Sequence, residues 1–162
     1  MQDSINPHQP SKDEPAVLPR TGVLIGIDYG TRRVGVAVSD RDQKFSSPLY
    51  NHQRQGLQAD TRFFKNLVDE YRSVGIVVGL PIHLSGDESE KSREARHFAK
   101  WLSQITGLPH GFQDERFSSF QAERLMQEAA LTKKQRKDRI DKLAAQILLQ
   151  TFLESRQAFP TA

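Results

Sequence analysis

Three acidic residues stand where predicted elements end or begin. Asp28 closes the first apolar strand, Glu115 closes the last strand, and Asp141 lies in the first turns of the last helix. Ligands of mixed α/β sheets bind at the carboxyl ends of the strands, so Asp28 and Glu115 are expected at one edge of the sheet. Asp141 lies beside the apolar stripe of its helix, where it can reach over that edge. The sequence therefore predicts a cluster of three carboxylates.

Carboxylates brought together repel each other, and a divalent cation removes that repulsion. Two of them 4 Å apart cost about 1 kcal/mol in water and about 4 kcal/mol at an effective dielectric constant of 20. Oxygen ligands select Mg²⁺ or Mn²⁺ over zinc, and this chain has no cysteine and only five histidines, without ligand spacing. Such a cluster suits metal-assisted hydrolysis of phosphodiester bonds.

Alternative roles stay open for several of these acids. Asp28 taken alone could accept backbone N–H bonds and fix the turn that follows it. Asp138 can share a helix face with Asp141, although a capping acid at the helix start explains it better. In the pair Asp114-Glu115 the pleat sends adjacent side chains to opposite faces, so only one of them can join Asp28.

The elements that must position these acids begin with a β-hairpin. Two runs rich in β-branched residues, 23–27 and 34–39, are joined by a short connection that contains Gly30. Over residues 34–39 valines alternate with glycine, alanine and serine, so one face of the strand is bulky and the other is small. The small face allows a helix to pack closely. Residues 44–50 predict a third, edge-like strand, in which Pro48 limits the pairing.

The rest of the chain alternates helices and strands. Apolar residues at helical spacing predict helices over 61–71, 88–105 and 138–157, and a capping box starts another at Ser118. Strands are predicted over 74–79 and 108–115. Three leading strands followed by this alternation predict an α/β fold: a mixed five-stranded sheet, its first three strands antiparallel, flanked by helices.

One folded domain is expected in 162 residues. Residues 1–20 carry four prolines and almost no apolar residues, which predicts a disordered leader. The domain is assigned to residues 21–157, and residues 158–162 form a short tail. No apolar run has the length of a signal peptide or a membrane span, so we expect a soluble, cytoplasmic protein without a membrane partner.

The net charge of +3 is unevenly distributed. Residues 132–142 carry a net charge of +4, which indicates a polyanionic partner; the alternative is a solvated loop and helix start. Arginine pairs with phosphate through two hydrogen bonds, so residues beside the acids are candidates as well; Arg116, for its part, could instead neutralise Asp114. The candidate phosphate contacts are Thr31, Arg32, Arg33, Arg116, Lys133, Lys134, Arg136 and Lys137.

Five segments together resemble one known family: Gly26–Thr31, Val34–Asp40, Val78–Pro81, Asp114–Ser118 and Asp141–Ala145. They follow the order and spacing of the YqgF-type, Holliday-junction-resolvase-like proteins, which carry the name "putative pre-16S rRNA nuclease". The resemblance runs from about residue 22 to 155. It implies a ribonuclease H-like fold and divalent-metal nuclease chemistry, with Asp28, Glu115 and Asp141 as the metal-binding, catalytic acids.

The function that this resemblance implies is endonucleolytic cleavage of structured nucleic acid in the 5′ maturation of pre-16S rRNA, a step of ribosome biogenesis. The alternatives are a Holliday junction resolvase acting on branched DNA and a non-catalytic nucleic-acid-binding module. A phosphotransferase of the actin and sugar-kinase type also holds phosphates with an Asp-x-Gly-Thr hairpin, but it needs two lobes and this chain has length for one. RNA or DNA as substrate, and monomer or dimer, stay open.

Overall fold

The structure is a computed structural model that describes residues 17–81, 89–115 and 132–158, without the side chains of residues 133–140 and 158. Most of the predicted leader, the helix predicted from Ser118 and residues 159–162 lie outside the described residues. The described elements, in chain order, are β1 (Val23–Asp28), β2 (Arg33–Ser39), β3 (Ser46–Gln53), α1 (Leu57–Tyr71), β4 (Ser73–Leu80), α2 (Glu90–Thr106), β5 (His110–Asp114) and α3 (Lys133–Ala158).

The five strands form one sheet in the order β3-β2-β1-β4-β5. The pairs β1–β2 and β2–β3 are antiparallel, whereas β1–β4 and β4–β5 are parallel. The predicted mixed sheet with three antiparallel leading strands is therefore confirmed. Because β1, β4 and β5 run in the same direction, their carboxyl ends meet at one edge of the sheet.

The helices cover the two faces of the sheet, and the pleat assigns each strand residue to one of them. Ile25 and Ile27 of β1 pack in the cluster that contains Phe64 of α1 and Phe98 of α2. Leu24 packs instead with Leu148, Leu149 and Leu153 of α3. Side chains alternate along a strand, so Gly26 and Asp28 belong to the α3 face with Leu24.

Helix α3 packs close to the sheet because each strand of the β1–β2 hairpin has a glycine beneath it. A Cβ at Gly26 would lie 2.8 Å from Cβ of Leu149, and a Cβ at Gly35 would overlap the backbone carbonyl of Asp141. Real Cβ atoms essentially never come this close, so any larger residue would push α3 away from the sheet. The small strand face thus receives a helix, as its sequence predicts.

Several boundaries differ from the prediction. Helix α3 begins at Lys133, five residues earlier than predicted, because lysine, glutamine and arginine favour helix and no glycine or proline interrupts them. Leu18 is buried against α3, and Arg156 donates hydrogen bonds to the carbonyls of Leu18 (2.7 Å) and Pro19 (3.1 Å). The packed chain therefore includes residues that were assigned to the leader. Strand β3 passes through Pro48, beside an irregularity in its pairing with β2.

No helix in the described ranges is both long enough and apolar enough to cross a membrane.

Candidate functional site

The carboxyls of Asp28 and Glu115 meet across a glycine. Glu115 directly follows β5, and its backbone N–H donates to the carbonyl of Leu80 (3.0 Å) at the end of β4. Strand β4 separates β5 from β1, so the Glu115 side chain must cross β4 to reach Asp28. It crosses at Gly79, where an added Cβ would lie 2.7 Å from Glu115 Cγ. The two carboxyls are hydrogen-bonded to each other.

Burial is the main cause that raises the pKa of the Asp28 carboxyl well above its ordinary value. The hydrogen bond with Glu115 adds to this rise, and so do the negative charges of Glu115 and Asp141. The ammonium group of Lys91 acts in the opposite direction. Ionised carboxylates can only accept hydrogen bonds, so this contact brings two acceptor groups together, an arrangement that a proton or a cation would stabilise.

Asp141 is the third acid at this edge, and two contacts position it. Its backbone carbonyl lies directly against Gly35, which pairs with Asp28 in the β1–β2 ladder. Its Oδ2 lies 3.2 Å from Nε of Arg33. That oxygen is buried, yet it accepts no hydrogen bond. The site thus contains one carboxylate oxygen whose charge is balanced but whose hydrogen-bonding capacity is unused.

The donor set fits a hard divalent cation, although it is not closed around one. Within the described residues, no group of three or more His, Asp and Glu side chains is arranged to hold a metal ion. Two of the acids contact each other, and the third faces Arg33. A cation could use these carboxylates, including the Asp141 oxygen that accepts no hydrogen bond, and its charge would offset the burial and repulsion that raise the pKa of Asp28. Cation binding would therefore compete with protonation of Asp28 and with the contact between Asp141 and Arg33.

The remaining predicted residues divide into three groups. Thr31 and Arg32 are exposed in the β1–β2 connection, and only Arg33 among its neighbours reaches an acid of the cluster. Four basic residues lie in the first turns of α3, but their side chains fall outside the described part: Lys133, Lys134, Arg136 and Lys137. Arg116 also falls outside the described residues. By the alternation along β5, Asp114 lies on the face opposite Glu115, as the pleat predicted.

Lys91 is a site residue that sequence reasoning missed. It is the second residue of α2, which starts beyond the carboxyl end of β4, and its charge acts on Asp28. The available signal was topological: a helix that follows a parallel strand begins at the edge where ligands bind.

Comparison with known proteins agrees with this geometry. Residues 22–155 match the family model described as "RuvX: Holliday junction resolvase". This chain belongs to that family. The matched range covers all five strands and most of α3, so the family resemblance of the sequence motifs is confirmed over the whole sheet.

Named proteins of other organisms are similar to this chain over most of its length. A protein of Rhodopirellula baltica named "Putative pre-16S rRNA nuclease" is 45% identical over 137 residues, covering 85% of this chain and 79% of the relative. A protein of the same name from Cereibacter sphaeroides strain KD131 is 44% identical over 147 residues, covering 91% and 92%.

Solved structures confirm the ribonuclease H-like fold. RuvC of T. thermophilus, solved with a Holliday junction substrate, has a TM-score of 0.54 at 17% identity and covers 85% of this chain and 97% of its own. The fowlpox virus resolvase, solved with Holliday junction DNA, has a TM-score of 0.52 at 11% identity, with coverages of 82% and 97%.

Proposed function

We propose that this protein is a divalent-metal-dependent endonuclease that hydrolyses phosphodiester bonds in structured RNA, in the 5′ maturation of pre-16S rRNA. One observation carries the proposal: Asp28, Glu115 and Asp141 lie on one face at one edge of the sheet, and the two other acids add to the rise that burial causes in the pKa of Asp28. The names of the RuvX-family relatives support the RNA substrate. A cytoplasmic location remains a prediction.

The three acids would hold Mg²⁺ or Mn²⁺, which are the cations that all-carboxylate sites select. When bound, such an ion activates a water molecule and stabilises charge on the leaving oxygen. The contribution of the chain would be to present Asp28 and Glu115 in ionised form and to turn Asp141 away from Arg33. Gly79 and Gly35 contribute space, since they let the Glu115 side chain and the α3 backbone approach Asp28.

Arg33 would then be available for the substrate. If Asp141 turned towards a bound cation, the guanidinium could pair with a substrate phosphate through two hydrogen bonds. Arg32 and Thr31, both exposed in the same connection, can follow the strand on either side of that phosphate. The charge of Arg33 would stay balanced, because the substrate phosphate would take the place of the Asp141 carboxylate.

The start of α3 supplies a second contact surface for a polyanion. No acid stands in its first turn, although acids are favoured there by the helix dipole. Instead the sequence places Lys133, Lys134, Arg136 and Lys137 in the opening turns, where cations are disfavoured. The negative charges of a phosphate backbone would offset the unfavourable interactions of these basic residues with the helix dipole and with one another. We therefore propose that they contact the substrate.

The second candidate is resolution of Holliday junctions in DNA, which the description of the RuvX family favours. A resolvase cuts two symmetric strands, so it would need two copies of the site. The test compares cleavage of a pre-16S rRNA fragment that keeps its 5′ extension with cleavage of a four-way DNA junction, in Mg²⁺ and in Mn²⁺. We expect cleavage of the RNA at a mapped position, and preferential cutting of the junction by a dimer would establish the second candidate.

The matched variants for this test are Glu115→Gln and Asp141→Asn, with Asp114→Asn and Asp138→Asn as controls. Loss of a metal-binding carboxylate should lower the cleavage rate about a hundredfold or more. Asp138→Asn should keep its activity, and Asp114→Asn should keep it wherever circular dichroism shows a folded protein. Normal turnover in Glu115→Gln, together with a folded but inactive Asp114→Asn, would contradict the assigned strand register.

A further inference from the structure

A cleft of about 290 Å³ lies on the α1/α2 face of the sheet, opposite the face that carries the carboxylate cluster. Phe98 is buried beneath it, Trp101 and Tyr29 are half-buried, and Leu57 and His97 are exposed. Arg54 and Glu94 complete its lining. The cleft thus combines an aromatic surface with one cation and one carboxylate.

The aromatic rings and the cation of this cleft form a connected set. Ring centroids lie 5.0 Å apart between Tyr29 and Phe98, and 5.4 Å apart between Phe98 and Trp101. The Arg54 guanidinium carbon lies 5.2 Å from the Phe98 centroid and 5.8 Å from that of Tyr29. Arg54 is anchored from behind, because its Nε lies 3.4 Å from the buried carboxylate of Asp60. The cation is therefore preorganised over the rings.

The cleft and the carboxylate cluster lie on opposite faces of the sheet and are linked through the end of β1. Tyr29 directly follows Asp28, and the two residues take opposite faces at the end of β1. Helix α2 connects the two places as well. Lys91, whose charge acts on Asp28, is followed by Glu94, Phe98 and Trp101 at intervals of three or four residues, on one side of the helix. Lys91 and Trp101 are about 15 Å apart along the helix axis.

We propose that this cleft binds one unpaired nucleobase of the strand whose phosphodiester lies at Asp28, an inference that rests on the proposed nuclease function. Aromatic rings stack on any base, and an arginine over the rings adds a cation–π contribution. The Glu94 carboxylate repels a phosphate but can accept a hydrogen bond from a base N–H group. A base inside a duplex is stacked and cannot enter, so the cleft selects a single-stranded segment beside the cut.

The single tryptophan of the chain provides a direct probe, since Trp101 lines the cleft. Its fluorescence is titrated in EDTA, where no cation-dependent cleavage can occur. The probes are a short single-stranded oligoribonucleotide, a sugar–phosphate strand of equal length and charge without bases, and a blunt duplex. We expect quenching by the single strand only. Equal binding and equal emission with the base-free strand would overturn the inference.

Variants locate the base, with binding measured by anisotropy of a labelled oligoribonucleotide. Trp101→Leu should weaken binding about tenfold, as expected for loss of one stacked base, and Trp101→Phe should restore most of it. Lys100→Gln, an exposed neighbour outside the cleft, should match the wild type apart from a small charge effect. If Trp101→Leu does not fold, His97→Ala and Leu57→Ser test the same cleft from exposed positions and should weaken binding several-fold. Wild-type affinity in both would overturn the inference.

Nuclease activity and base binding in the cleft can be tested independently. Quenching by single strands, without cleavage of any substrate in Mg²⁺ or Mn²⁺, would overturn the nuclease proposal and support a base-binding cleft. The opposite result is RNA cleavage together with equal affinity for strands with and without bases. It would support the nuclease proposal and overturn the base-binding proposal.

Discussion

Nε of Arg33 lies 3.2 Å from Oδ2 of Asp141, and yet this buried oxygen accepts no hydrogen bond. The two side chains are about one third and one fifth exposed, at 36% and 22%. Partly exposed ion pairs of this kind contribute at most about 1 kcal/mol. Separating the two side chains therefore costs little free energy. In the proposed mechanism Arg33 would pair with a substrate phosphate instead, and Asp141 would bind the cation.

Arg33→Gln should separate these two roles. We expect KM for the nucleic acid to rise about tenfold, because a bidentate phosphate contact is lost, while the increase in Tm caused by Mg²⁺ is kept or becomes larger. Arg32→Gln, which removes an exposed charge from the same connection, is the matched control and should change KM less. A smaller Mg²⁺ response in Arg33→Gln would show instead that Arg33 positions Asp141 for the cation.

Mg²⁺ or Mn²⁺ should stabilise the wild-type protein, because the cation binds the folded carboxylate cluster and removes its repulsion. At ten times the dissociation constant the gain in unfolding free energy is about 1.4 kcal/mol, which raises Tm by roughly 3–6 °C for a domain of this size. Asp28→Asn should lose most of this shift in a thermal melt while remaining folded. An undiminished shift in that variant would place the ion elsewhere.

The raised pKa of Asp28 predicts how stability depends on pH without metal. Between the ordinary aspartate pKa of about 3.9 and the raised folded value, the native state binds more protons than the unfolded state. Stability therefore falls as pH rises through this window. In EDTA, Tm of Asp28→Asn should exceed that of the wild type at pH 7–8, and the difference should shrink towards pH 4.

Asp69→Asn, at an exposed position on α1, is the control for this pH series, because it removes a carboxylate outside the cluster. A difference for Asp28→Asn that grows as pH falls would contradict the assignment, because it would require a lowered folded pKa at Asp28.

The positions of Asp28 and Glu115 at strand ends predict that both lie at one edge of the sheet. The contact between their carboxyls depends in addition on the order of the strands. Asp28 and Glu115 each follow an apolar run, so the sequence placed them at one edge. Their hydrogen bond crosses β4 at Gly79, and only the order β1-β4-β5 makes that glycine relevant. The cleft was not predictable for a similar reason: Tyr29, Arg54 and Trp101 are distant in sequence and meet only because the end of β1, the β3–α1 connection and α2 come together on one face of the sheet.

The salt dependence of binding tests the basic start of α3. If four charges meet phosphates, the logarithm of affinity falls with the logarithm of salt concentration at a slope near −3.6, roughly a hundredfold loss between about 50 and 200 mM salt. Combined replacement of Lys133, Lys134, Arg136 and Lys137 by glutamine should flatten the slope and weaken all nucleic acid sequences alike. Unchanged affinity and slope would leave this segment as a solvated helix start.

Gly79→Ala tests whether the Glu115 side chain must cross β4. An added Cβ would overlap the Glu115 carboxyl rather than any backbone atom, so the side chain can turn away and the fold survives. We expect a small change in Tm, about a hundredfold loss of cleavage and a reduced Mg²⁺ response, since Glu115 no longer reaches Asp28. Gly111→Ala in β5 is the matched control, because its Cβ would meet only the Leu18 side chain at 3.3 Å, and it should keep its activity. Equal activity of the two variants would show that Glu115 acts from another position.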